Sequence, residues 1–550
     1  MNKLKPHLYA ALIVLLIAAV GFYFLLPAIN IHNPELLIYV AVLSVIYALV
    51  VAVASHKSIK AEILGEKRGI WKRLGGTNRA VLVIIVLCLL IGVIGSLSGA
   101  VIFRAKDYRE LLTVKEGDFT EDVQEISYEK IPTLDYDSAT KLGDRKMGEL
   151  SDMVSQFSVL DDYTQINYKG RPTRVTPLGY ADVFKWLSNV SDGIPAYISI
   201  DMVTQEVSVH RLEQGMKYTE SDHFGRNLHR HLRFNYPTYI FEEPDFEIDE
   251  NGTPYWVCSR MTYRIGLYGG RDICGVVLVN AITGEHTYYD IADVPAWVDR
   301  AYNAEMIIEQ YDYYGTLQKG YWNSILAQKD CKQTTDGYNY IALGDDVYMY
   351  TGVTSLAADE SNVGFILTNQ RTKETKFYAV SGAEEYSAMS SAMGEVQNLR
   401  YEATFPLLLN VSGEPTYFVA LKDGAGLVKM YAFVNVRQYQ LVGKGETLKA
   451  AEADYIDKLS AGGVLDKEDA DALQSIVTGP IADIRSAVVE GNTHLYISMD
   501  KVDHVFVVNI AEHEEAITYN VGDFVIVHYK ESENYLVNVT SILKGDPEAK

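Results

Sequence analysis

Three long apolar runs, none of which contains a charged residue, open the chain at 8–29, 36–55 and 80–103. Each is about as long as the roughly 20 residues that cross a bilayer core. A buried helix of a soluble protein rarely runs past about 14 such residues, and the apolar part of a cleaved signal peptide is about 7–15 residues long. The pattern therefore favours three transmembrane helices, in a membrane domain that covers residues 1–104, over both alternatives.

From about residue 141 the pattern changes to short runs of alternating apolar and polar residues separated by turns, which is typical of half-buried strands. Longer helical runs interrupt these strands at Gly179–Asn189, Pro295–Gly315, Glu446–Leu459 and Leu465–Val477. From Pro480 the chain predicts about five strands, and Gly522-Asp523 resembles a strand start of small SH3-like and OB-like barrels. An open antiparallel sheet is the alternative for this last part.

The predicted fold class is three N-terminal transmembrane α-helices followed by a large α+β, mostly antiparallel extracytoplasmic region that ends in a small β-barrel-like domain. The predicted domains, in chain order, are the membrane domain 1–104, a connector 105–140, two α+β regions at 141–330 and 331–460, and a helix pair with a barrel at 461–550.

One hairpin pattern recurs three times in the β-rich part. An apolar run is followed by Asp or Asn, two residues, Thr, one residue and Glu, and then by a second alternating run. Asp and Asn side chains cap turns and tolerate left-handed backbone, and Thr can add a local hydrogen bond. Each copy predicts a β-hairpin, although a β-rich chain can repeat such turns by chance. The three sets are Asp201, Thr204 and Glu206; Asn280, Thr283 and Glu285; and Asn369, Thr372 and Glu374.

These hairpins resemble those of PepSY-type extracytoplasmic domains, whose turns have a similar D-x-x-T-G-E form. Asn280–Glu285 matches that form best, and the resemblance covers about 185–310 and again about 335–440. The whole layout resembles uncharacterised membrane-anchored proteins of Gram-positive bacteria. PepSY-type domains restrain or tune proteases, so the resemblance implies that the outer region modulates another envelope protein.

The net charge of −23 is divided unevenly, with +7 on residues 1–104 and −30 on the rest. The link 56–79 contains seven Lys or Arg residues and the link 30–35 contains none. Because cytoplasmic loops are rich in Lys and Arg, we expect the N-terminus and the basic loop inside and the acidic body outside, against a weaker contrary signal from Arg104, Lys106 and Arg109. The acidic body disfavours nucleic acid as a partner, and uncharged spans disfavour a transporter.

The chain lacks the sequence motifs of P-loop nucleotide binding, dinucleotide binding, zinc proteases, serine hydrolases and C-x-x-C redox centres. Ser-x-x-Lys occurs three times, which is near chance, and no K-T-G accompanies it. The acidic run 242–252 lacks EF-hand spacing and fits a hairpin with one wet face, with adventitious calcium as the alternative. We therefore predict no catalytic residue, no cofactor and no metal ligand.

Two smaller groups remain open. His223, His229 and His231 alternate with three arginines, which indicates a basic surface segment; the alternatives are a metal site or an anion contact made by Arg226, His229, Arg230, His231 and Arg233. Cys258 and Cys274 could form a disulfide between adjacent strands in an oxidising compartment. Free buried thiols are the alternative, which the odd third cysteine, Cys331, favours.

Together these observations predict a multi-pass plasma-membrane protein that acts without catalysis, by binding another envelope protein or wall polymer as a scaffold, assembly factor or modulator. Membrane lipid is an expected partner, nucleic acid is not, and homo-oligomerisation is compatible with this role. A cell-surface enzyme acting on wall polymer or peptide is the first alternative, and a ligand sensor is the second. A scaffold should have a flat apolar or charged patch, an enzyme a deep cleft with convergent titratable groups, and a sensor a ligand cavity.

Overall fold

The computed structural model describes residues 5–54, 76–123, 130–356, 361–465, 475–489, 492–500, 502–511, 513–529 and 535–545. Its internal contacts divide the chain into two compact units. The first comprises Met1–Lys429 and Asn435–Tyr439, and the second comprises Met430–Val434 and Gln440–Lys550.

Three apolar helices open the first unit: α1 (Lys5–Leu25), α2 (Pro34–Ala54) and α3 (Gly76–Ser98). All three are long and apolar enough to cross a membrane, and few of their residues are buried within the protein. The prediction of three N-terminal apolar helices is confirmed. The third helix begins earlier than predicted, at Gly76. It also ends earlier, because the chain breaks at Gly99 and a separate helix, α4 (Val101–Arg109), follows. Most of the basic loop 56–79 lies outside the described residues.

After the short strand β1 (Val114–Glu116) and helix α5 (Phe119–Asp122), one element order repeats along the chain. Each repeat has a helix, two short strands, two long strands and a closing strand. The first repeat adds a helix between its long strands. It contains α6 (Tyr136–Glu149), β2 (Phe157–Val159), β3 (Thr164–Tyr168), β4 (Arg171–Tyr180), α7 (Val183–Asn189), β5 (Ile194–Asp201) and β6 (Val207–Met216).

The second and third repeats have the same element order without the added helix. The second contains α8 (Leu228–Asn235), β7 (Ile240–Phe241), β8 (Asp245–Ile248), β9 (Pro254–Ile265), β10 (Gly269–Asn280) and β11 (His286–Asp290). The third contains α9 (Ala304–Thr316), β12 (Lys332–Thr334), β13 (Asn339–Leu343), β14 (Asp346–Ser355), β15 (Ser361–Asn369) and β16 (Thr375–Tyr378), followed by β17 (Gly382–Ala383).

The strands of these three repeats pair in the same way. Both short strands pair with the first long strand, which gives the orders β2-β4-β5-β6, β7-β9-β10-β11 and β12-β14-β15-β16, with β3, β8 and β13 as the second short strands. All of these pairs are antiparallel, while β1 joins the third sheet parallel to β16. The predicted domain boundary at residue 330 falls inside the third repeat, between α9 and β12.

The same element order occurs a fourth time. It runs through α10 (Glu385–Glu395), β18 (Glu402–Ala403), β19 (Leu407–Val411), β20 (Glu414–Lys422), β21 (Val428–Asn435) and β22 (Val442–Gly445), and α11 (Leu448–Ala461) follows. Asn435 accepts the N–H groups of Arg437 and Gln438 at its turn, but the Thr and Glu of the pattern are absent. This copy therefore does not match the recurring hairpin pattern, which requires that Thr and Glu.

The three predicted turns share one hydrogen-bond pattern. Each Asp or Asn side chain accepts the N–H groups two and three residues ahead at 2.9–3.0 Å. Each Thr hydroxyl accepts the N–H of the Glu at 3.2–3.4 Å. The residue between Thr and Glu has a left-handed φ in every copy, with values of 60° at Gln205, 75° at Gly284 and 63° at Lys373. The capping chemistry predicted for these residues is thus present at all three sites.

The second sheet is buried on both faces. Consecutive residues of a strand point to opposite sides, so they enter different cores. Trp256 and Val277 pack into a core shared with the first repeat. Val257 and Val276 pack on the other side, in a core shared with the third repeat. The second repeat is thus the central layer of the first unit.

The second unit ends in a closed five-stranded barrel, which confirms the predicted barrel over the open sheet. Residues 466–474 of the predicted helix Leu465–Val477 lie outside the described residues, and its last three residues belong to the first barrel strand. The strands are β23 (Ser475–Val489), β24 (Asn492–Met499), β25 (Val505–Asn509), β26 (Phe524–Tyr529) and β27 (Leu536–Lys544), in the order β23-β24-β25-β27-β26.

Two predicted helices begin later than the sequence pattern suggested, because side-chain caps decide their first turns. Asp182 accepts the N–H groups of Phe184 and Lys185, so α7 begins at Val183 rather than Gly179. Asn303 caps α9, and the predicted first turn from Pro295 is a loop.

The turns yield a stability prediction. Gln205 adopts a left-handed backbone that costs a non-glycine residue roughly 1 kcal/mol. We expect Gln205→Gly to raise the free energy of unfolding by up to about 1 kcal/mol, measured by denaturant titration of the full chain in detergent micelles. Gly284→Gln is the opposite control and should destabilise, because a Cβ there would lie 2.3 Å from the Tyr218 ring. A less stable Gln205→Gly variant would contradict the explanation.

Candidate functional site

The ends of the apolar helices contact the second repeat through their backbones. Gly99, which follows α3, lies so close to the β9–β10 hairpin that a Cβ on it would stand 2.9 Å from Gly269 N and Ile265 O. The Tyr108 hydroxyl donates to the Gly99 carbonyl at 2.6 Å. The N–H of Leu267 donates to the Ser98 hydroxyl at 3.3 Å. The hairpin tip therefore sits directly on the end of α3.

Helix α8 makes the corresponding contact with α1. Arg230 donates from Nε to the Tyr23 carbonyl at 3.2 Å, and its guanidinium lies 4.6 Å from the centre of the Tyr23 ring. Arg233 donates from Nε to the Leu26 carbonyl at 2.8 Å. The last carbonyls of a helix lack partners within it and carry a partial negative charge, so two arginines are well suited to this position.

The link between α1 and α2 also forms hydrogen bonds with the second repeat. The N–H of Ile29 donates to the Pro237 carbonyl at 2.7 Å. The His32 ring hydrogen-bonds to the Leu267 carbonyl at 2.8 Å and stacks on Tyr263. We call the contacts made by residues 23–32 and 95–99 with α8 and the β9–β10 hairpin the helix-end contact.

The structure changes the interpretation of the basic segment. Besides Arg230 and Arg233, Arg226 donates to the Val190 carbonyl at 2.5 Å, and the His231 ring hydrogen-bonds to the Gly284 carbonyl at 2.9 Å. Four of the five residues predicted as a candidate anion contact thus bind carbonyl oxygens of their own chain. Local sequence could not reveal this, because the carbonyl partners lie far away along the chain.

The fifth residue, His229, pairs with Glu220 at 3.2 Å, and this hydrogen bond raises the pKa of the imidazole. With Glu243 the two form a group whose ligand atoms lie within 4.8 Å of one another, close enough to hold a metal ion. His229 is a candidate ligand from the sequence alone, but neither glutamate is, since no recognisable metal spacing connects them to it. His223 instead packs its ring on Trp186.

A polar pocket of about 340 Å³ lies where strands and turns of the first three repeats meet. Asp299 is unusual among its lining residues, because it bears a carboxyl group and is only 2% exposed. Its Oδ2 accepts the N–H of Asn167 at 2.6 Å, whereas Oδ1 has no hydrogen-bond partner among the described residues. The lining residues are Ile166, Asn167, Tyr168, Lys169, Ile248, Glu250, Asn251, Trp297, Asp299 and Asp345.

A second buried carboxyl group lies beside Asp299. Glu247 accepts the N–H groups of Asp299 and Arg300, each at 2.9 Å. Burial raises the pKa of Glu247, and the nearby Asp299 carboxyl raises it further. Burial likewise raises the pKa of Asp299 to about 8. A cationic group entering the pocket would meet Asp299 Oδ1, which has no partner among the described residues, and would stabilise the ionised form of this carboxyl.

The two cysteines considered as a disulfide lie on neighbouring strands, but Cys258 stands opposite Val277 rather than Cys274. Cys274 occupies a bulge between Ile273 and Gly275, and its thiol faces the Arg260 carbonyl at 3.5 Å. Both thiols are free in the structure, as is that of Cys331. The strand register thus gives no support to the pairing.

Comparison with known proteins adds no family to this description. No protein-family model matches the chain, and no curated protein matches it.

The helix-end contact makes a prediction about packing. We expect Gly99→Ala to lower the free energy of unfolding by about 1–3 kcal/mol, because the new methyl group must push the hairpin backbone away. Gly92→Ala within α3 is the control, since a Cβ there meets nothing within 4 Å. Thermal melts of both variants in detergent micelles measure the difference, and equal melting temperatures would show that the close approach is unimportant.

Proposed function

We propose that the chain is a membrane-anchored protein that works outside the cytoplasm by binding, as a scaffold, assembly factor or modulator of another envelope protein. The observation that carries this proposal is the helix-end contact. It seats the repeat array on the ends of α1 and α3 through backbone contacts and arginine caps. A body held in this way is suited to presenting a binding surface at a constant place on the membrane.

An exposed apolar patch provides such a surface. Trp322, Ile325 and Leu326 lie on one short helical segment after α9, and Leu326 is 77% exposed and Trp322 63% exposed. Exposed groups of large apolar side chains mark interaction sites in soluble domains. The patch is what a scaffold requires, and a modulator of a protease or another envelope protein would use it in the same way.

Capture from native membranes tests the binding role. We expect the tagged full chain, with a photo-cross-linking residue in place of Trp322, to form one dominant cross-linked product with another envelope protein. Leu326→Ser should reduce that product several-fold, because it removes the most exposed apolar side chain of the patch. Leu399→Ser, which also changes an exposed leucine, is the matched control. Absence of any product, together with turnover of a wall peptide by the chain, would favour the enzyme alternative.

We also propose the orientation that the basic loop indicates, with the N-terminus and the loop in the cytoplasm and the acidic body outside. A thiol reagent that cannot cross membranes should label Asn251→Cys in intact cells but should not label Ser58→Cys in the basic loop. Permeabilised cells provide the control, in which both variants should react. The reverse labelling pattern would place the body in the cytoplasm.

The pocket favours a second candidate function, that of a ligand sensor. Asp299 Oδ1 and Asn167 Oδ1 are acceptors without partners among the described residues, so they call for a ligand that donates hydrogen bonds. Glu250 and Asp345 line the pocket with Asp299 and outnumber the single cation, Lys169, which lies over the Tyr168 ring. A small organic ammonium fits this chemistry better than an anion does.

Titration of the full chain in detergent micelles with 1,5-diaminopentane tests this candidate by calorimetry. We expect saturable binding that Asp299→Asn weakens about tenfold or more. A bound ammonium stabilises the ionised form of Asp299, which the amide cannot adopt, while the acceptor for Asn167 is kept. Asp293→Asn changes the same charge at an exposed position and should bind normally. If the wild-type chain gives no binding heat, the pocket is not a site for this class of ligand.

A further inference from the structure

The end of α1 is bordered by exposed aromatic and apolar side chains of the outer body. Phe234 of α8 packs on the rings of Phe22 and Tyr23, at centroid distances of 5.9 and 6.3 Å, yet it remains 55% exposed. Tyr23 lies in the last turn of a helix long and apolar enough to cross a membrane. Phe234 therefore lies beside the last turn of this helix.

Phe224 lies beside the same helix end. One guanidinium connects the two places, because Arg230 donates from Nε to the Tyr23 carbonyl and from Nη1 to the Phe224 carbonyl. Phe224 is 65% exposed and has a φ of 53°. A bulky side chain in left-handed backbone is strained, and an exposed ring gains little in water to offset that strain.

The apolar border continues from Phe224. The Trp186 ring packs on Phe224 at 5.7 Å, and Trp186 belongs to α7, whose Phe184 and Leu187 are 75% and 56% exposed. At the end of α3, Ile102 and Phe103 follow Gly99 within four residues and are also exposed. We call Ile102, Phe103, Phe184, Leu187, Phe224 and Phe234 the apolar collar.

We propose that the apolar collar contacts the lipid of the leaflet that faces the outer body, so that the body rests in the bilayer interface as well as on the helix ends. The collar is continuous with the apolar helices, which favours lipid as its occupant. Phe234 touches the last turn of α1, and Phe103 lies four residues after the break at Gly99. Aromatic side chains are enriched at this depth of the membrane, where a ring buries its apolar body near the headgroups. This inference goes beyond the proposed binding role and does not depend on it.

Quenching by brominated lipid tests the proposal on the full chain in nanodiscs of phosphatidylcholine. Phe224→Trp and Phe103→Trp each add one tryptophan to the native ones. We expect brominated acyl chains to quench the added fluorescence of both variants relative to unbrominated lipid. Tyr386→Trp is the matched control, since Tyr386 is an exposed aromatic residue of the fourth repeat that packs on Phe405, and its added fluorescence should be unaffected.

Trp186 packs on residue 224, so Phe224→Trp is made and compared in a Trp186→Phe background. The other native tryptophans are common to all three variants, so only the differences between variants matter. If Phe224→Trp is quenched no more than Tyr386→Trp, the collar faces water or another protein and the proposal is overturned. The capture experiment on Leu326 is unaffected by that outcome, because Leu326 is outside the collar. Conservative aromatic exchanges at exposed positions should leave folding intact, which a melting temperature within about 2 °C of the wild-type value would verify.

Discussion

The last carbonyl groups of a helix that leaves a membrane need hydrogen-bond partners, and so does any irregular backbone close to the hydrocarbon. In this protein the partners come from the second repeat and from α4. Arg230 and Arg233 cap α1, Tyr108 caps the break at Gly99, and the β9–β10 hairpin covers the end of α3. The position of the body therefore depends on satisfying a few backbone oxygens, and a glycine at 99 is what allows the two backbones to approach.

The repeats depend on one another through the same central layer. A single sheet of this kind has two faces to cover, and a repeat that cannot bury both alone is stabilised by its neighbours. The second sheet covers both faces with the first and third repeats, and this is why Trp256 and Val257, which are consecutive, belong to different cores. The layer that supports the core also provides the hairpin of the helix-end contact.

Local chemistry was largely readable from the sequence. Three uncharged runs predicted the apolar helices, and the Asp or Asn caps predicted the turns, because both depend on residues adjacent in the chain. Contacts between residues far apart in the chain could not be predicted from the sequence. Asn435 keeps its cap without the Thr and Glu of the pattern, so the fourth repeat was missed. Asp299 was assigned to a helix, although it lies in a pocket built from three repeats, and the arginines of α8 showed no sign of their carbonyl partners on α1.

The arginine caps have a consequence for how the protein is made. The carbonyls of Tyr23 and Leu26 each precede their arginine by 207 residues in the chain, so Arg230 and Arg233 are synthesised well after them. At about 5–20 residues per second, the helix waits for its caps for roughly ten seconds or longer. During that interval water or lipid headgroups must serve those oxygens. Formation of α1 and capping of its C-terminal end are therefore separate events in biogenesis, and the second begins only when α8 has folded.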